Sequence, residues 1–176
     1  MVPKLETERL LLREIEKDDV TDIFRCFSND KVTRYYGQET LENVGQADAI
    51  IEFFSNSYKE KRAIRWGIER KETEGLIGTI GFNAWSPKHK RAEIGYEIHP
   101  DHWRKGYTSE ALLRIIQYGF NELGLTRIGA VVFIENEASN KLLTKMGFQQ
   151  EGILREYMYQ NGRAYDTFVY SILKDN

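Results

Sequence analysis

The stretch "RAEIGYEIHPDHWRKGYTSEALLRIIQYGFNELG", residues 91–124, decides the fold of this chain. Residues 91–99 alternate as a β-strand does, and residues 108–124 repeat apolar side chains at the spacing of an amphipathic helix. A helix that begins at Thr108 or Ser109 leaves its first amide N–H groups without partners, pointing back along the helix axis. These groups and the helix dipole predict a binding site for a polyanion at the strand-to-helix junction.

The junction, His99–Tyr107, contains the residue types that such a site needs. Gly106 lets the backbone approach a ligand where a Cβ atom would collide, and Arg104 and Lys105 add mobile positive charge. These features favour a pyrophosphate site. The chain has no G-x-x-x-x-G-K-[ST] motif, and the glycines of "GLIGTIG" lie every third residue inside a strand, unlike those of a dinucleotide-binding motif. The alternative interpretation is an ordinary turn with solvated charges.

Length and charge limit the classes of protein to consider. The 176 residues predict one domain, residues 1–176, large enough for its own core. A formal net charge of −2 gives no general attraction to nucleic acid or to anionic lipid, so neither is expected as a partner. The N-terminus lacks a signal-peptide pattern, no run is apolar enough to cross a bilayer, and the single cysteine, Cys26, excludes an internal disulfide. We therefore expect a cytoplasmic protein.

The remaining patterns predict the element order β-α-α-β-β-β-α-β-α-β-β, a mixed sheet flanked by helices. The first strand is predicted at Arg9–Glu14, and the first helix follows with Asp18 as its N-cap. Three strand-like runs within residues 63–99 predict an antiparallel meander. Asn136 is predicted to cap a short helix, and the pair Asn161-Gly162 predicts a closing hairpin.

Four segments, in the right order, resemble the GNAT superfamily of acyl-CoA-dependent N-acyltransferases, specifically its RimJ/RimL-like branch, named for ribosomal-protein N-terminal acetyltransferases. They are "TERLLLR" (7–13), "AEIGYEIHPDHWRKGYTSEAL" (92–112), "NEASNKLLTKMGF" (136–148) and "GILREYMYQNGRAYDTFVYSIL" (152–173). The resemblance implies an α/β (α+β) fold with a mixed, mostly antiparallel seven-stranded sheet flanked by about four helices. The loop departs from the family pattern Q/R-x-x-G-x-G/A, because only the central Gly106 fits; relatives often carry glycine in place of Arg104 and alanine in place of Thr108.

The resemblance implies an acetyl-CoA-dependent N-acetyltransferase that moves the acetyl group directly to a primary amine in a ternary complex. Acetyl-CoA is then the co-substrate, and no metal is implied. The implied binding residues are the backbone amide of the splayed fourth strand, the loop with the first helical turn, and the start of the next helix: Ile98, Arg104, Lys105, Gly106, Tyr107, Thr108, Ser109, Asn136, Asn140. The alternatives are that Asn136 only caps its helix and that Asn140 lies on a solvated face.

The resemblance leaves the acceptor open. A ribosomal or other protein N-terminus and a small-molecule amine both remain candidates, and homodimers are common among such enzymes. Four aromatic residues are candidates either for the acceptor pocket or for the core: Tyr35, Tyr36, Trp66, Trp85.

Transfer to an amine requires a group that accepts the amine proton and a group that stabilises or protonates the leaving sulfur. By resemblance Glu93 is the leading candidate for the base, directly or through a water, with a surface carboxylate in an ion pair as the alternative. Glu97, on the same strand face, His99 and solvent are the other candidates. Ser139 is implied as the proton donor to the sulfur, because this chain has Leu143 where some family members use a tyrosine.

Two functions of other classes remain as alternatives: a non-catalytic acyl-CoA-binding module of the same fold, and a nucleotide-binding protein that uses the same helix N-terminus. A metal site is not expected at His99 and His102, since Pro100 interrupts the helix that would align them and no cysteine pair supports them. Cys26 lies on an apolar helix face, which indicates a core residue.

Overall fold

The computed structural model describes residues 1–175 and contains one eight-stranded sheet of order β1-β2-β3-β4-β5-β6-β8-β7. All neighbouring strands are antiparallel except β5 and β6. The strands are β1 Leu5–Glu6, β2 Leu10–Arg13, β3 Ile64–Arg70, β4 Thr73–Ser86, β5 Arg91–Ile98, β6 Arg127–Phe133, β7 Gln149–Gln160 and β8 Arg163–Leu173.

Five α-helices accompany the sheet: α1 Val20–Phe27, α2 Asp30–Thr33, α3 Val44–Lys59, α4 Tyr107–Asn121 and α5 Glu137–Lys145. A 3₁₀ turn at Lys17–Asp19 precedes α1. A second 3₁₀ turn, Pro100–His102, lies between β5 and the loop before α4. None of the helices within residues 1–175 is long and apolar enough to cross a membrane.

The predicted fold class is confirmed, with small differences in the element count. The sequence predicted seven strands and about four helices, and the structure has eight strands and five helices. The additional strand, Leu5–Glu6, is too short to show alternation and forms only because Leu5 pairs with Leu12 in β2. The additional helix, Asp30–Thr33, is a single turn capped by the side chain of Asn29.

Two predicted helix starts differ from the structure by one residue or more. Helix α4 begins at Tyr107, slightly earlier than predicted, with Gly106 at its N-cap. Asp18 does not cap α1: it lies inside the 3₁₀ turn, and the N-cap position belongs to Asp19. Both carboxylate oxygens of Asp19 accept hydrogen bonds from the Arg13 guanidinium at 2.9 Å, across the six residues that connect β2 to α1.

The sheet separates two hydrophobic clusters. Helix α4 packs against one face, where Trp66, Phe82 and Leu112 are fully buried. Helices α1 and α3 pack against the other face and bury a smaller cluster that includes Ile15 and Leu76. Adjacent residues of β3 point to opposite faces, as the strand period requires. Each face of the sheet therefore has its own helical cover.

Strands β5 and β6 separate part-way along their length. Their parallel pairing begins at Arg91–Arg127 and ends at the pair Glu93–Gly129. Beyond that point β5 continues beside β4 as far as Ile98, while β6 continues beside β8. A gap between two hydrogen-bonded halves of the sheet follows, and it opens toward the loop that precedes α4.

We expect Gly81→Ala to lower the stability of the protein, because a Cβ atom on Gly81 would lie 2.0 Å from the carbonyl oxygen of Ile64 in the neighbouring strand. Relieving such a contact in a packed sheet costs roughly 1–3 kcal/mol. For a chain of this size each kcal/mol lowers Tm by about 2–4 °C. Thermal denaturation measures the change.

Gly152→Ala is the matched control, because a Cβ atom on Gly152, in β7, would meet nothing within 4 Å. Its Tm should remain close to that of the wild type. Equal Tm values for the two variants would contradict the close approach of β3 and β4 at Gly81.

Candidate active site

Two adjoining cavities occupy the gap between β5 and β6. Cavity A has a volume of about 530 Å³ and is lined by Ile98, the loop before α4 and the first turn of α4. Cavity B has a volume of about 290 Å³ and is lined by Glu93, by the α3 residues Phe53 and Phe54, and by the separated parts of β5 and β6. Five residues line both cavities, so the two spaces meet: Tyr35, Tyr36, Tyr96, Asn136, Ser139.

The loop at the end of cavity A has the backbone shape of an anion site. Arg104 has a φ of 60° and Gly106 a φ of 78°, both in the left-handed region. Gly106 is the N-cap of α4, and no side chain caps the amide groups of the first turn. These free N–H groups face a cavity that Thr108 and Ser109 also line, which fits the binding of a phosphate group.

Arg104, Gly106, Tyr107, Thr108 and Ser109 all line cavity A. Lys105 differs: its residue is exposed, and its carbonyl oxygen is turned toward Arg9.

The N-terminal segment holds this loop in place, which the sequence analysis did not detect. Glu110, in the first turn of α4, accepts hydrogen bonds from the Thr7 hydroxyl, from the Arg9 backbone N–H at 2.9 Å and from Arg9 Nε at 2.8 Å. Arg9 Nη1 donates to the carbonyl oxygen of Lys105 at 2.8 Å, and its guanidinium lies 4.5 Å from the ring centre of Tyr107. Burial raises the pKa of Glu110, but hydrogen bonds from Thr7 and Arg9 outweigh it and the net pKa is lowered. Glu110 is therefore an ionised anchor.

The amide of Ile98 points into the gap. The next residue, His99, donates its N–H to Ile77 of β4 at 2.8 Å. Because successive residues of a strand direct their N–H groups to opposite sides, the N–H of Ile98 faces the side from which β6 has departed. Its carbonyl oxygen points the same way and accepts from Trp103 Nε1 at 2.6 Å. One donor in the gap therefore has a fixed direction and no strand partner.

The start of α5 forms another wall shared by the two cavities. The Asn136 side chain accepts from the Ser139 N–H at 3.3 Å, so Asn136 is an N-cap as well as a lining residue. The Tyr96 hydroxyl donates to Ser139 Oγ at 3.1 Å. Burial raises the pKa of Tyr96 to about 12, so the hydroxyl keeps its proton at neutral pH. Tyr96 and Ser139 thus form a pair of connected hydroxyls where the two cavities meet.

Asn140 is occupied by contacts within the protein. Its Nδ2 donates to the carbonyl oxygens of Phe133 at 3.3 Å and Ile134 at 3.2 Å. Its Oδ1 accepts from the Tyr170 hydroxyl at 2.8 Å. The amide therefore ties α5 to the end of β6 through Nδ2 and to β8 through Oδ1, and Asn140 is outside the lining of either cavity.

Glu93 lies at the point where the two strands part. It forms the last pair with Gly129 and lines cavity B. Burial raises the pKa of Glu93 above the ordinary value, and the charges of Arg127 and Arg91 offset this only in part. Arg127 is engaged elsewhere, in a two-bond contact with Glu151 at 2.6 and 2.8 Å. Glu93 is half-buried and makes no ion pair within 4.0 Å among residues 1–175. Its carboxylate is therefore free to accept a proton.

Glu97 has a different environment, although it lies on the same strand face. Its side chain is 2% exposed, and its two oxygens accept from the hydroxyls of Thr79 and of Tyr36, the latter at 2.6 Å. Arg65 lies 4.0 Å away and donates to the Tyr36 hydroxyl at 2.9 Å and to the Gly95 carbonyl at 2.8 Å. Burial raises the pKa of Glu97, and Arg65 acts against that shift. Glu97 is thus held in a closed network.

His99, the other candidate base, caps the 3₁₀ turn at Pro100–His102. Its Nδ1 accepts from the Asp101 N–H at 3.2 Å, and its side chain is outside the lining of either cavity in the described chain.

Three polar residues of the site were not identified as functional candidates from the sequence. Tyr96 interrupts the apolar face of β5 that Ile94 and Ile98 form, and this alternation is visible in the sequence. Arg65 shares its face of β3 with Gly67 and Glu69, so alternation predicts a polar face, and only the structure shows that Arg65 is buried. Tyr36 was considered only as a pocket or core aromatic and lines both cavities, as Tyr35 does, whereas Trp66 is fully buried and Trp85 packs against the core.

Two further expectations concern Cys26 and metal binding. Cys26 is buried, and burial raises the pKa of its thiol, which suits a core residue. Within residues 1–175 no group of three His, Cys, Asp or Glu side chains is arranged to hold a metal ion.

Comparison with known proteins agrees with this geometry. Residues 9–149 match the family model described as "Acetyltransferase (GNAT) domain". The chain is 63% identical over 174 residues to the uncharacterized N-acetyltransferase YoaA of Bacillus subtilis, covering 99% of this chain and 98% of that protein.

Two solved structures are similar over almost their whole length. Spermidine N-acetyltransferase from Vibrio cholerae, in complex with CoA and spermine, has a TM-score of 0.83 at 28% identity, covering 94% of this chain and 96% of that one. RimL, a ribosomal L7/L12 α-N-protein acetyltransferase in complex with CoA, has a TM-score of 0.86 at 20% identity, covering 98% of this chain and 99% of that one. At this identity the similarity shows a shared fold. The chain therefore belongs to the acetyltransferase (GNAT) family and is an N-acetyltransferase that uses acetyl-CoA.

Proposed function

We propose that this enzyme transfers the acetyl group directly from acetyl-CoA to a primary amine while both substrates are bound to one domain, residues 1–176. The observation that carries the proposal is the junction of two cavities. Cavity A ends at the anion site of the α4 loop, and cavity B contains the unpaired carboxylate of Glu93. The spaces meet at Ser139 and Tyr96, so a cofactor in one and an amine in the other can react across the gap.

The residues of cavity A fit acetyl-CoA. The free amides at the start of α4, with Gly106 and Thr108, match its pyrophosphate, and the Ile98 N–H is directed into the gap where the thioester arm must pass. Bound there, acetyl-CoA supplies the acetyl group as a thioester. The fixed Ile98 donor would stabilise negative charge on the thioester oxygen without reorganisation.

Proton movement follows from the positions of Glu93, Tyr96 and Ser139. The amine nitrogen loses its proton to Glu93 and forms a bond to the acetyl carbon as the carbon–sulfur bond breaks. The leaving sulfur takes a proton from Ser139 Oγ, and the Tyr96 hydroxyl, which donates to Ser139, replaces it. Solvent then returns a proton to Tyr96 and removes the amine proton from Glu93, so both groups are restored. The products are an amide and free CoA.

Two classes of acceptor are candidates for this enzyme. The RimJ/RimL-like resemblance suggests a protein N-terminus, and the similarity to spermidine acetyltransferase suggests a small amine. The buried single cysteine supports an assignment to the cytoplasm, where thiols stay reduced.

The proposal is tested by measuring thiol release when acetyl-CoA is mixed with a panel of primary amines. A non-catalytic module would bind acetyl-CoA and release no thiol. Binding is measured separately by thermal denaturation, where acetyl-CoA at about 100 times Kd should stabilise the protein by about 2.7 kcal/mol. A Tm unchanged by CoA and acetyl-CoA would contradict the assignment of cavity A, and stabilisation by ATP alone would favour a nucleotide-binding protein.

We expect Glu93→Gln to lower kcat/KM by about 10²–10⁴-fold at pH 7, the usual contribution of a positioned base, while leaving acetyl-CoA affinity unchanged. Because burial raises the pKa of Glu93, wild-type kcat/KM should fall with decreasing pH earlier than an exposed glutamate would cause. This acidic limb should flatten in the variant. Glu122→Gln, at the exposed end of α4, is the control. Wild-type kcat/KM in Glu93→Gln would assign the base to another group or to solvent.

Ser139→Ala should lower kcat with little change in acetyl-CoA affinity, because it removes the proton donor to the leaving sulfur. Tyr96→Phe should lower kcat less, by about tenfold at most, since it removes only the donor behind Ser139. Steady-state kinetics with saturating acetyl-CoA separates the two variants. A larger loss in Tyr96→Phe than in Ser139→Ala would make Tyr96 the acid.

Gly106→Val should weaken CoA binding more than Lys105→Ala does. Valine at a φ of 78° is strained, and its Cβ atom would lie 3.3 Å from Arg9 Nη2, so the loop must change shape. Lys105→Ala removes one exposed charge and leaves the backbone intact. Isothermal titration with CoA compares the variants, and the Tm of each free protein shows that it is folded. If Lys105→Ala is the weaker binder, side-chain charge holds the pyrophosphate.

A further inference from the structure

One part of the wall of cavity B is apolar and aromatic, and uncharged polar groups such as Gln38 and Asn83 line another part. Helix α3 contributes Ile50, Phe53 and Phe54, and the closing hairpin contributes Met158. The separated part of β6 adds a further apolar stretch, residues 130–133. The apolar part favours the transfer of an apolar group out of water, and the lining offers an additional ammonium group no second carboxylate.

The charges of cavity B are few, and all but one are neutralised. Among the described residues that line it, Arg65 and Glu93 are the ones with ionisable acidic or basic side chains. Arg65 is 7% exposed, lies 4.0 Å from Glu97, and is bound to Tyr36 and Gly95. Its charge is therefore balanced inside the protein. Glu93 alone remains to interact with an ammonium group on an acceptor.

A second ammonium group would find no carboxylate in this cavity. A polyamine carries a positive charge on each nitrogen at neutral pH, because alkylamines have pKa values of about 10. With Glu93 engaged at the reacting nitrogen, each additional charge would have to lose water without a carboxylate partner among the described lining residues, which is unfavourable.

The entrance of cavity B is apolar as well. Phe53 lines the cavity and is 61% exposed, so it lies at the rim, where an acceptor passes from water into the cavity. The ring centre of Phe53 lies 6.2 Å from that of Phe54, which also lines cavity B, so the two rings extend the aromatic surface from the cavity to its rim.

We infer that the acceptor is a primary amine attached to a single uncharged, apolar body of about the size of one aromatic or branched aliphatic side chain, and that polyamines are poor acceptors. The inference rests on the proposed function, since it describes the ligand of cavity B in the transfer reaction. An amine on an apolar body occurs both in a free arylalkylamine and in a peptide whose first residue is phenylalanine. The proposed acceptor is the free amine, because the volume of cavity B, about 290 Å³, matches a small molecule.

The experiment compares kcat/KM at pH 7.5 for phenethylamine, spermidine, and two short peptide amides that begin with phenylalanine or with lysine. The kcat/KM for phenethylamine should exceed that for spermidine by at least about tenfold, which is the discrimination that a small apolar contact provides. Phenethylamine should also exceed both peptides. Preference for spermidine would overturn the inference, and preference for the phenylalanine peptide would keep the apolar chemistry but overturn the small-molecule source.

Phe53→Asp places a carboxylate at the rim and should shift the ratio of kcat/KM values, phenethylamine to spermidine, toward spermidine by about tenfold. Val44→Asp is the matched control, because it adds the same charge to the same helix at another exposed apolar residue, 46% exposed and outside the lining of cavity B. The control should leave the ratio unchanged. An unchanged ratio in Phe53→Asp, or an equal shift in both variants, would overturn the role of the rim.

Thermal denaturation with acetyl-CoA separates failure of this inference from failure of the proposed function. If acetyl-CoA stabilises the protein and spermidine or the lysine peptide is the better acceptor, direct transfer to an amine stands and the apolar acceptor is wrong. If no amine releases thiol although acetyl-CoA binds, both are wrong.

Discussion

The separation of β5 and β6 after the Glu93–Gly129 pair is the constraint on which the rest of the site depends. A sheet that opens leaves backbone groups without ladder partners, and buried groups of this kind must find others. Trp103 Nε1 donates a hydrogen bond to the carbonyl oxygen of Ile98. Asn140 Nδ2 donates to the carbonyl oxygens of Phe133 and Ile134 at the end of β6. The Ile98 N–H is left pointing into the gap. The opening therefore creates both the space that the two cavities occupy and a fixed donor that faces it.

The same opening explains why two carboxylates on one strand face differ in character. Glu97 lies beyond the point where β6 leaves, and there Tyr36, from the connection between α2 and α3, Thr79 and Arg65 surround its carboxylate. Glu93 lies at the vertex, beside a glycine and without an ion pair within 4.0 Å in the described part of the chain. A buried charge with full hydrogen bonding is fixed in place, whereas a half-buried charge with a raised pKa can exchange a proton. The hydrogen bonds of buried Glu97 suit a residue that positions its neighbours. The absence of an ion pair at half-buried Glu93, within residues 1–175, suits the proposed base.

The loop before α4 depends on a second long-range connection. Arg9 and Thr7 hold Glu110 at the start of α4, and Arg9 also fixes the carbonyl group of Lys105. A loop that contains a non-glycine residue, Arg104, at a φ of 60° requires such support, because an arginine in this region is strained relative to glycine. The N-terminal segment thus supports the shape of this loop, the proposed anion site, across a separation of 96 to 103 residues along the chain.

The sequence by itself determined the type of almost every element, because alternation, helical spacing, caps and the Asn161-Gly162 turn are local signals. Through Gly106 it also predicted an anion-binding loop at the start of α4, and through family resemblance it selected Glu93, which lines cavity B, and Asn136 and Ser139, which line both cavities. It could not show that Asn140 is bound to backbone, that Lys105 faces away, or that Arg65, Tyr36 and Tyr96 join the site. Those facts depend on contacts between residues far apart in the chain and on where β5 leaves β6, and local pattern contains no information about either. Only the tertiary structure decided which of two equivalent glutamates stays free.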